Sequence, residues 1–163
     1  MKRNQTKAIC MAYGAMIAAL YVVLTLLAKA MGLDSGQIQL RLSEALCVLP
    51  VFLPAAVPGL TVGCLLANIL CGNIFWDVLF GTLATLLGAL GTRALRGRPL
   101  LALLPPILSN TLIVPFVLAY AYGLPGGVPL FMLTVGMGEV LSCGVLGRLL
   151  WSVLDKHKGE LFN

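Results

Sequence analysis

Glu139 stands about ten residues into an apolar run that ends in a basic tail. A carboxyl near the middle of a bilayer costs at least ~2.5 kcal/mol on insertion scales, so its presence needs a reason. Its helical neighbours, Val135, Gly136, Ser142 and Cys143, are mostly small, and Thr134, Gly138 and Ser142 recur at intervals of four. A small-residue stripe of this kind packs helix against helix, which turns Glu139 into the bundle. There it either contacts a ligand or, as a protonated acid, bridges two helices. Asn110, beside Ser109 in another apolar run, has the same two readings. Asn68 shares one helical face with Thr61, Cys64 and Cys71, at spacings of three, four and three. Glu44 and Asp77 stand at the ends of apolar runs, with Trp76 next to Asp77 and Asn73 just before. A tryptophan at a span end also serves as an interface anchor. Together Arg41, Glu44, Asn68, Asp77 and Glu139 would line a cavity open to the outside, although Arg41 and Glu44 could equally pair with each other.

These residues need a scaffold. Of 163 residues, 60% are apolar and 10% charged, whereas soluble domains carry about a quarter charged residues. A chain this apolar has too little polar surface to cover a soluble core, so a bilayer is its solvent. The apolar runs predict six spans, over 8–30, 44–57, 59–72, 74–92, 100–122 and 129–154, as one transmembrane domain covering 1–163. The first is too long for a signal-peptide core of about 7–15 residues and reads as a retained helix. Asp34 to Glu44 is polar, and the alternation in QIQLRL suggests an extended segment outside the membrane. The run 45–71 is too long for one span, and Pro54 to Gly59 marks its turn. Of the eleven basic residues, Lys2, Arg3, Lys7, Arg93, Arg96, Arg98, Arg148, Lys156 and Lys158 fall on one side in this scheme, and only Lys29 and Arg41 on the other. Positive charge gathers on the cytoplasmic side, which places both termini there. The expectation is an all-α membrane protein, multi-pass in the cell membrane.

Several chemistries are excluded by pattern. There is no H-E-x-x-H, G-x-S-x-G or P-loop, no histidine in any span, and no pair of aspartates set for intramembrane proteolysis. No metal, cofactor or catalytic residue is expected. Six spans leave no room in 163 residues for an ATPase domain. The cysteines, Cys10, Cys47, Cys64, Cys71 and Cys143, form no C-x-x-C pair and read as small packing residues. His157 lies in the polar tail. The net charge of +5 flanks apolar runs and forms no aromatic-basic stripe, which argues against nucleic acid. In the fourth run Gly81, Thr85, Gly88 and Thr92 form one small-residue face, and in the first run Ala8, Ala12, Ala15 and Ala19 form another. Each could pack internally or dock another membrane protein.

The stretch QIQLRLSEALCVLPVFLPAAVPGLTVGCLLANILCGN (37–73), followed by WDVLFGTLATLLGAL (76–90), resembles the QueT family. The resemblance implies an S component, the substrate-binding subunit of an energy-coupling factor (ECF) importer, with a six-helix bundle of that type. Its substrate would be a queuosine precursor, a 7-deazaguanine base such as queuine. Its partners would be a transmembrane T subunit and two ATPases. S components dock through A-x-x-x-A in the first helix, which Ala15 and Ala19 match. A 7-deazaguanine presents an N–H and an exocyclic amine along one edge, which a carboxylate can accept as a pair. Glu139, Asp77 and Glu44 are the candidate carboxylates, Asn68 or Asn110 could serve the carbonyl edge, and Trp76 or Tyr120 could stack on the ring. A stand-alone carrier, or an S component for another vitamin-like molecule, is the alternative.

Overall fold

A computed structural model describes residues 2–33, 39–98 and 100–157, with the side chains of 2–6 excepted. Asp34, Gln37, Ile38 and Lys158 lie outside the described residues, so the extended reading of QIQLRL can be followed only from Gln39. Gln39 and Leu40 carry no regular structure and Arg41 has extended dihedrals. All regular elements among the described residues are helical. They are α1 (Lys2–Ala30), α2 (Leu42–Val51), α3 (Ala56–Leu70), α4 (Phe75–Ala94), α5 (Leu101–Ala121) and α6 (Val128–Lys156).

Four of these, α1, α4, α5 and α6, are long and apolar enough to cross a membrane. The expectation of six spans is thus met in helix number, while two helices are short. α2 is a 3-10 helix of 10 residues, or roughly 20 Å at that rise. α3 has 15 residues, or roughly 22 Å. A lipid-facing helix of that length would leave hydrocarbon unmatched, but α2 is a core element. Ser43, Glu44 and the whole run Leu46–Pro50 are buried. The chain turns at Phe52–Ala55. Pro58, placed in that turn by the sequence reading, is instead the third residue of α3, where a missing N–H costs nothing because first-turn donors have no partner anyway.

Small residues set the packing. A Cβ at Gly59 would come within 2.7 Å of the Gly14 carbonyl, and one at Gly63 within 2.8 Å of Tyr21 Cβ, so α3 lies directly on α1. Gly88 and Gly91 meet Pro106 and Pro105 in the same way, closing α4 on α5. The α4 stripe is therefore internal packing: Gly81 faces Asn68, Thr85 bonds Cys64 Sγ at 3.2 Å, and Thr92 bonds the Ala102 carbonyl at 2.8 Å. The α1 stripe is the opposite case. Ala8, Ala12, Ala15 and Ala19 are all exposed. Only 17% of the α1 apolar window is buried, against 33–39% in the other three long helices.

Contacts along the chain fix the directions. Gly59 against Gly14 and Lys29 Nζ on the Cys71 carbonyl make α1 and α3 parallel. Gln39 against Gly138, Arg41 N on Ser142 Oγ and Phe52 against Trp151 make the 39–52 segment parallel to α6. Lys29 and Arg93, which donates to the Pro50 and Val51 carbonyls, place cations on the C-terminal ends of α3 and α2, where the helix dipole favours them. The outcome is a bundle with two chemically distinct ends. Lys7, Arg93, Arg96, Arg98, Arg148 and Lys156 belong to one, and Lys29, Arg41 and most of the polar side chains to the other.

Candidate functional site

The polar end holds a cavity of about 230 Å³. α1 supplies Tyr21 and Thr25, the 39–43 segment Gln39, Arg41 and Ser43, α3 and its turn Asn68, Cys71 and Asn73, α4 Asp77, and the end of α5 Leu118 and Tyr122. Asn68 Oδ1 accepts from Asn73 Nδ2 at 3.1 Å, and Tyr122 OH donates to Asp77 Oδ2 at 3.1 Å. Burial, with the Asp77 carboxylate beside it, pushes the Tyr122 phenol above its usual range, so it remains the donor. Burial of Arg41 works to lower its pKa, but the surrounding acidic groups, Asp77 and Glu44 among them, raise it and keep the guanidinium charged. No side-chain hydrogen bond or ion pair ties that guanidinium to a described residue; the backbone is what is anchored, its N–H donating to Ser142 Oγ at 3.1 Å and its carbonyl accepting from Glu44 N at 3.0 Å.

Beneath the cavity lies a second, tighter tier. Gln39 and Arg41 form its roof, and Val114, Val135 and Glu139 close around a void of only about 10 Å³. Asn110 faces Glu139 as a side-chain hydrogen-bond neighbour, but the contact falls outside good hydrogen-bond geometry, and neither Asn110 Nδ2 nor Glu139 Oε2, both buried, has another partner among the described residues. Thr111 Oγ1, one residue along α5, is unpaired too. Buried polar atoms are nearly always paired, because each orphan costs about 1–3 kcal/mol. Local geometry contributes. α6 widens into π turns over Val140–Leu146, directly after Glu139, and α5 does so over Val117–Ala121 after Pro115. Such turns recur at functional sites.

Glu44 differs from Glu139. It is 1% exposed, with Oε1 accepting from Tyr21 OH at 2.6 Å and Oε2 from Cys47 Sγ at 2.9 Å. Arg41 and Glu44 are electrostatic neighbours but form no ion pair within 4 Å among the described residues. Of the sequence candidates, Arg41, Asn68 and Asp77 come together on the cavity wall. Asn110 and Glu139 come together below it, and Glu44 sits in the core beside Tyr21. Trp76 and Tyr120 lie elsewhere, both exposed, on an apolar groove along the outer face of α4 and α5. Sequence reasoning passed over Tyr122, Asn73 and Thr25 as site residues. Asn73 could have been found from its place five residues after Asn68, whereas nothing in the sequence ties Tyr122 to Asp77.

A helical membrane protein with a small polar chamber at one end and a buried, incompletely paired carboxyl beneath it has the layout of a membrane binding or transport protein. Comparison with known proteins agrees: the sequence model described as the QueT transporter matches residues 11–156, and the chain belongs to that family. A curated relative, the queuosine precursor transporter QueT of Lactococcus lactis subsp. cremoris, is 38% identical over 73 residues. That match spans 44% of this chain and 42% of the relative. No solved structure matches.

Proposed function

We propose that the chain is the substrate-binding S component of an ECF importer in the cell membrane, taking up a queuosine precursor, a 7-deazaguanine base such as queuine. The observation that carries the reading is the poorly paired amide and carboxyl in the tighter tier under the Gln39–Arg41 roof of the polar chamber, Asn110 Nδ2 and Glu139 Oε2. An amide donor beside a carboxyl acceptor is the complement of a guanine-like edge, which offers a carbonyl next to N–H and amine donors. Asp77, Asn68 and Arg41 supply further polar contacts in the chamber above, whose volume of about 230 Å³ is below the usual ~300–1,000 Å³ of ligand sites and suits a single small base. The chamber faces outward, because the six described basic residues gathered at the other end mark the cytoplasmic side. All six helices cross or line the membrane in this arrangement, with both termini inside.

Partner docking falls to α1. Its alanine face, with Ala15 and Ala19 at its centre, is exposed, and Ala15 also borders a shallow groove against Pro58, Gly59 and Val62 of α3; small residues permit the close helix approach that membrane assembly requires. The T subunit would seat there, and two ATPases bound to it would supply the energy. The test is ligand binding by the purified chain in detergent or nanodiscs. Saturable binding of a 7-deazaguanine base, competed by other deazaguanines and not by adenine, is expected. Failure to bind any deazaguanine, with a different vitamin-like compound binding tightly, would reassign the substrate.

A further inference from the structure

We infer that the wedge between α4 and α5 is a binding site for one phospholipid acyl chain of the leaflet at the chamber end. The groove has a volume of about 500 Å³ and is walled by Trp76, Phe80 and Leu83 on one side and Leu112, Phe116 and Tyr120 on the other. Its shape follows from the sequence. In the lower halves of the two helices Gly88 and Gly91 draw α4 onto Pro106 and Pro105. In the upper halves two aromatic stacks stand in the gap, Trp76 on Phe80 at 6.0 Å and Phe116 on Tyr120 at 6.3 Å. The groove runs along the outer face of the two helices above that glycine seam, with the aromatic stacks as its walls.

Length and rim chemistry select the occupant. From Trp76 to Leu83 the wall runs roughly 10 Å, and from Leu112 to Ala121 roughly 13 Å. That is most of one leaflet, about half of the ~30 Å hydrocarbon core, after which the glycine seam shuts the groove. A partner transmembrane helix would have to continue past that point and would need small residues on the rim for close approach. This rim is bulky and aromatic. An acyl chain needs neither, and Trp76 and Tyr120 stand at the mouth, where aromatic rings meet the headgroup layer. The groove shares a wall with the polar chamber, since Asp77 follows Trp76 and Tyr122 follows Ala121 in sequence and their 3.1 Å hydrogen bond closes the seam between them. A bound chain therefore supports the chamber wall from the lipid side.

Two measurements on the purified full chain test this. Native mass spectrometry after delipidating washes should retain one phospholipid on the wild type. Replacing Ala121→Phe and Leu83→Phe fills the mouth and base of the wedge and should weaken retention roughly tenfold, the loss of about two buried methylenes. The second measurement uses Trp151→Phe, which leaves Trp76 as the sole tryptophan. Chain-brominated phosphatidylcholine should quench Trp76 with saturation at a low mole fraction, and the filled variant should lose that saturable phase. Retention unchanged by filling, or quenching of Trp76 that rises only in proportion to brominated lipid, would overturn the proposal. Cross-linking from a cysteine at Leu112 to another membrane protein, with no lipid retained, would also overturn it and assign the groove to a partner helix.

Discussion

Replacing Glu139→Gln separates a ligand contact from a helix bridge. The side chain keeps its shape, and one carboxyl oxygen becomes an amide N–H donor. Among the described residues Glu139 Oε2 has no hydrogen bond of good geometry, so the change removes no well-formed intramolecular bond at that atom. Its effect on folding should be small, well inside the ~1–3 kcal/mol that a lost buried bond to a charged group costs. Binding is another matter. A carboxylate that accepts the paired donors of a deazaguanine edge loses one acceptor and gains a donor facing a donor. Breaking a buried charge-assisted contact costs roughly 2–4 kcal/mol, which corresponds to roughly a 30- to 900-fold rise in Kd. The assay is ligand titration and thermal melting on the same purified variant. Wild-type affinity with a depressed melting temperature refutes the reasoning: Glu139 would then hold α5 to α6, and Asp77 would be the next carboxyl to test. Loss of affinity at an unchanged melting temperature is the expected result.

Substituting Ala15→Trp together with Ala19→Trp should abolish uptake in cells while leaving the Kd of the purified chain within about twofold, because both residues face away from the bundle; equal loss of binding would mean that this face packs internally. Tyr21→Phe removes the 2.6 Å bond to Glu44 and should lower stability by about 1–3 kcal/mol in a denaturation assay, with a much smaller effect on affinity than Glu139→Gln. Arg96→Cys should react with a membrane-permeant thiol reagent and resist an impermeant one added outside, in a background where the exposed Cys10 and the partly exposed chamber residue Cys71 are replaced; labelling from outside would invert the topology.

The helices and the polar side chains were legible because the membrane makes each of them conspicuous. An apolar run long enough to span stands out, and so does Glu139 inside one. Facing was harder. The α1 and α4 stripes look alike as spacings of small residues, and only the fold shows that Gly88 lies under Pro106 whereas Ala15 is exposed at the edge of a shallow groove between α1 and α3. The form of α2 was also beyond the sequence, since a 3-10 helix over Leu42–Val51 depends on its being enclosed by α1, α4 and α6. Trp76 looked like a stacking platform because it adjoins Asp77, but consecutive helical residues point about 100° apart, as 3.6 residues per turn requires. Asp77 turns into the chamber and Trp76 out to the lipid side. Tyr122 escaped notice because its partner is 45 residues away and the turn that delivers it is a π turn rather than an α turn.

The two buried glutamates show why carboxyl burial alone does not define a site. Glu44 is the more enclosed, at 1% exposure against 5% for Glu139, and composition would rank it at least as highly. Its two oxygens already have donors in Tyr21 and Cys47, so a ligand reaching it would have to displace bonds and gain little. Glu139 has an oxygen without a donor, next to an amide without an acceptor, under a roof made by the Gln39–Arg41 segment. That roof is packed closely: a Cβ at Gly138 would collide with the Gln39 carbonyl. Two orphaned atoms at about 1–3 kcal/mol each are a deficit the bundle carries in the absence of ligand. On the proposed function, a molecule that supplies both partners would recover it on binding, and one lacking either edge would not. On that reading, selectivity for a carbonyl-plus-amine edge would rest on Asn110 and Glu139, whereas Glu44 is a structural group bonded to Tyr21 and Cys47.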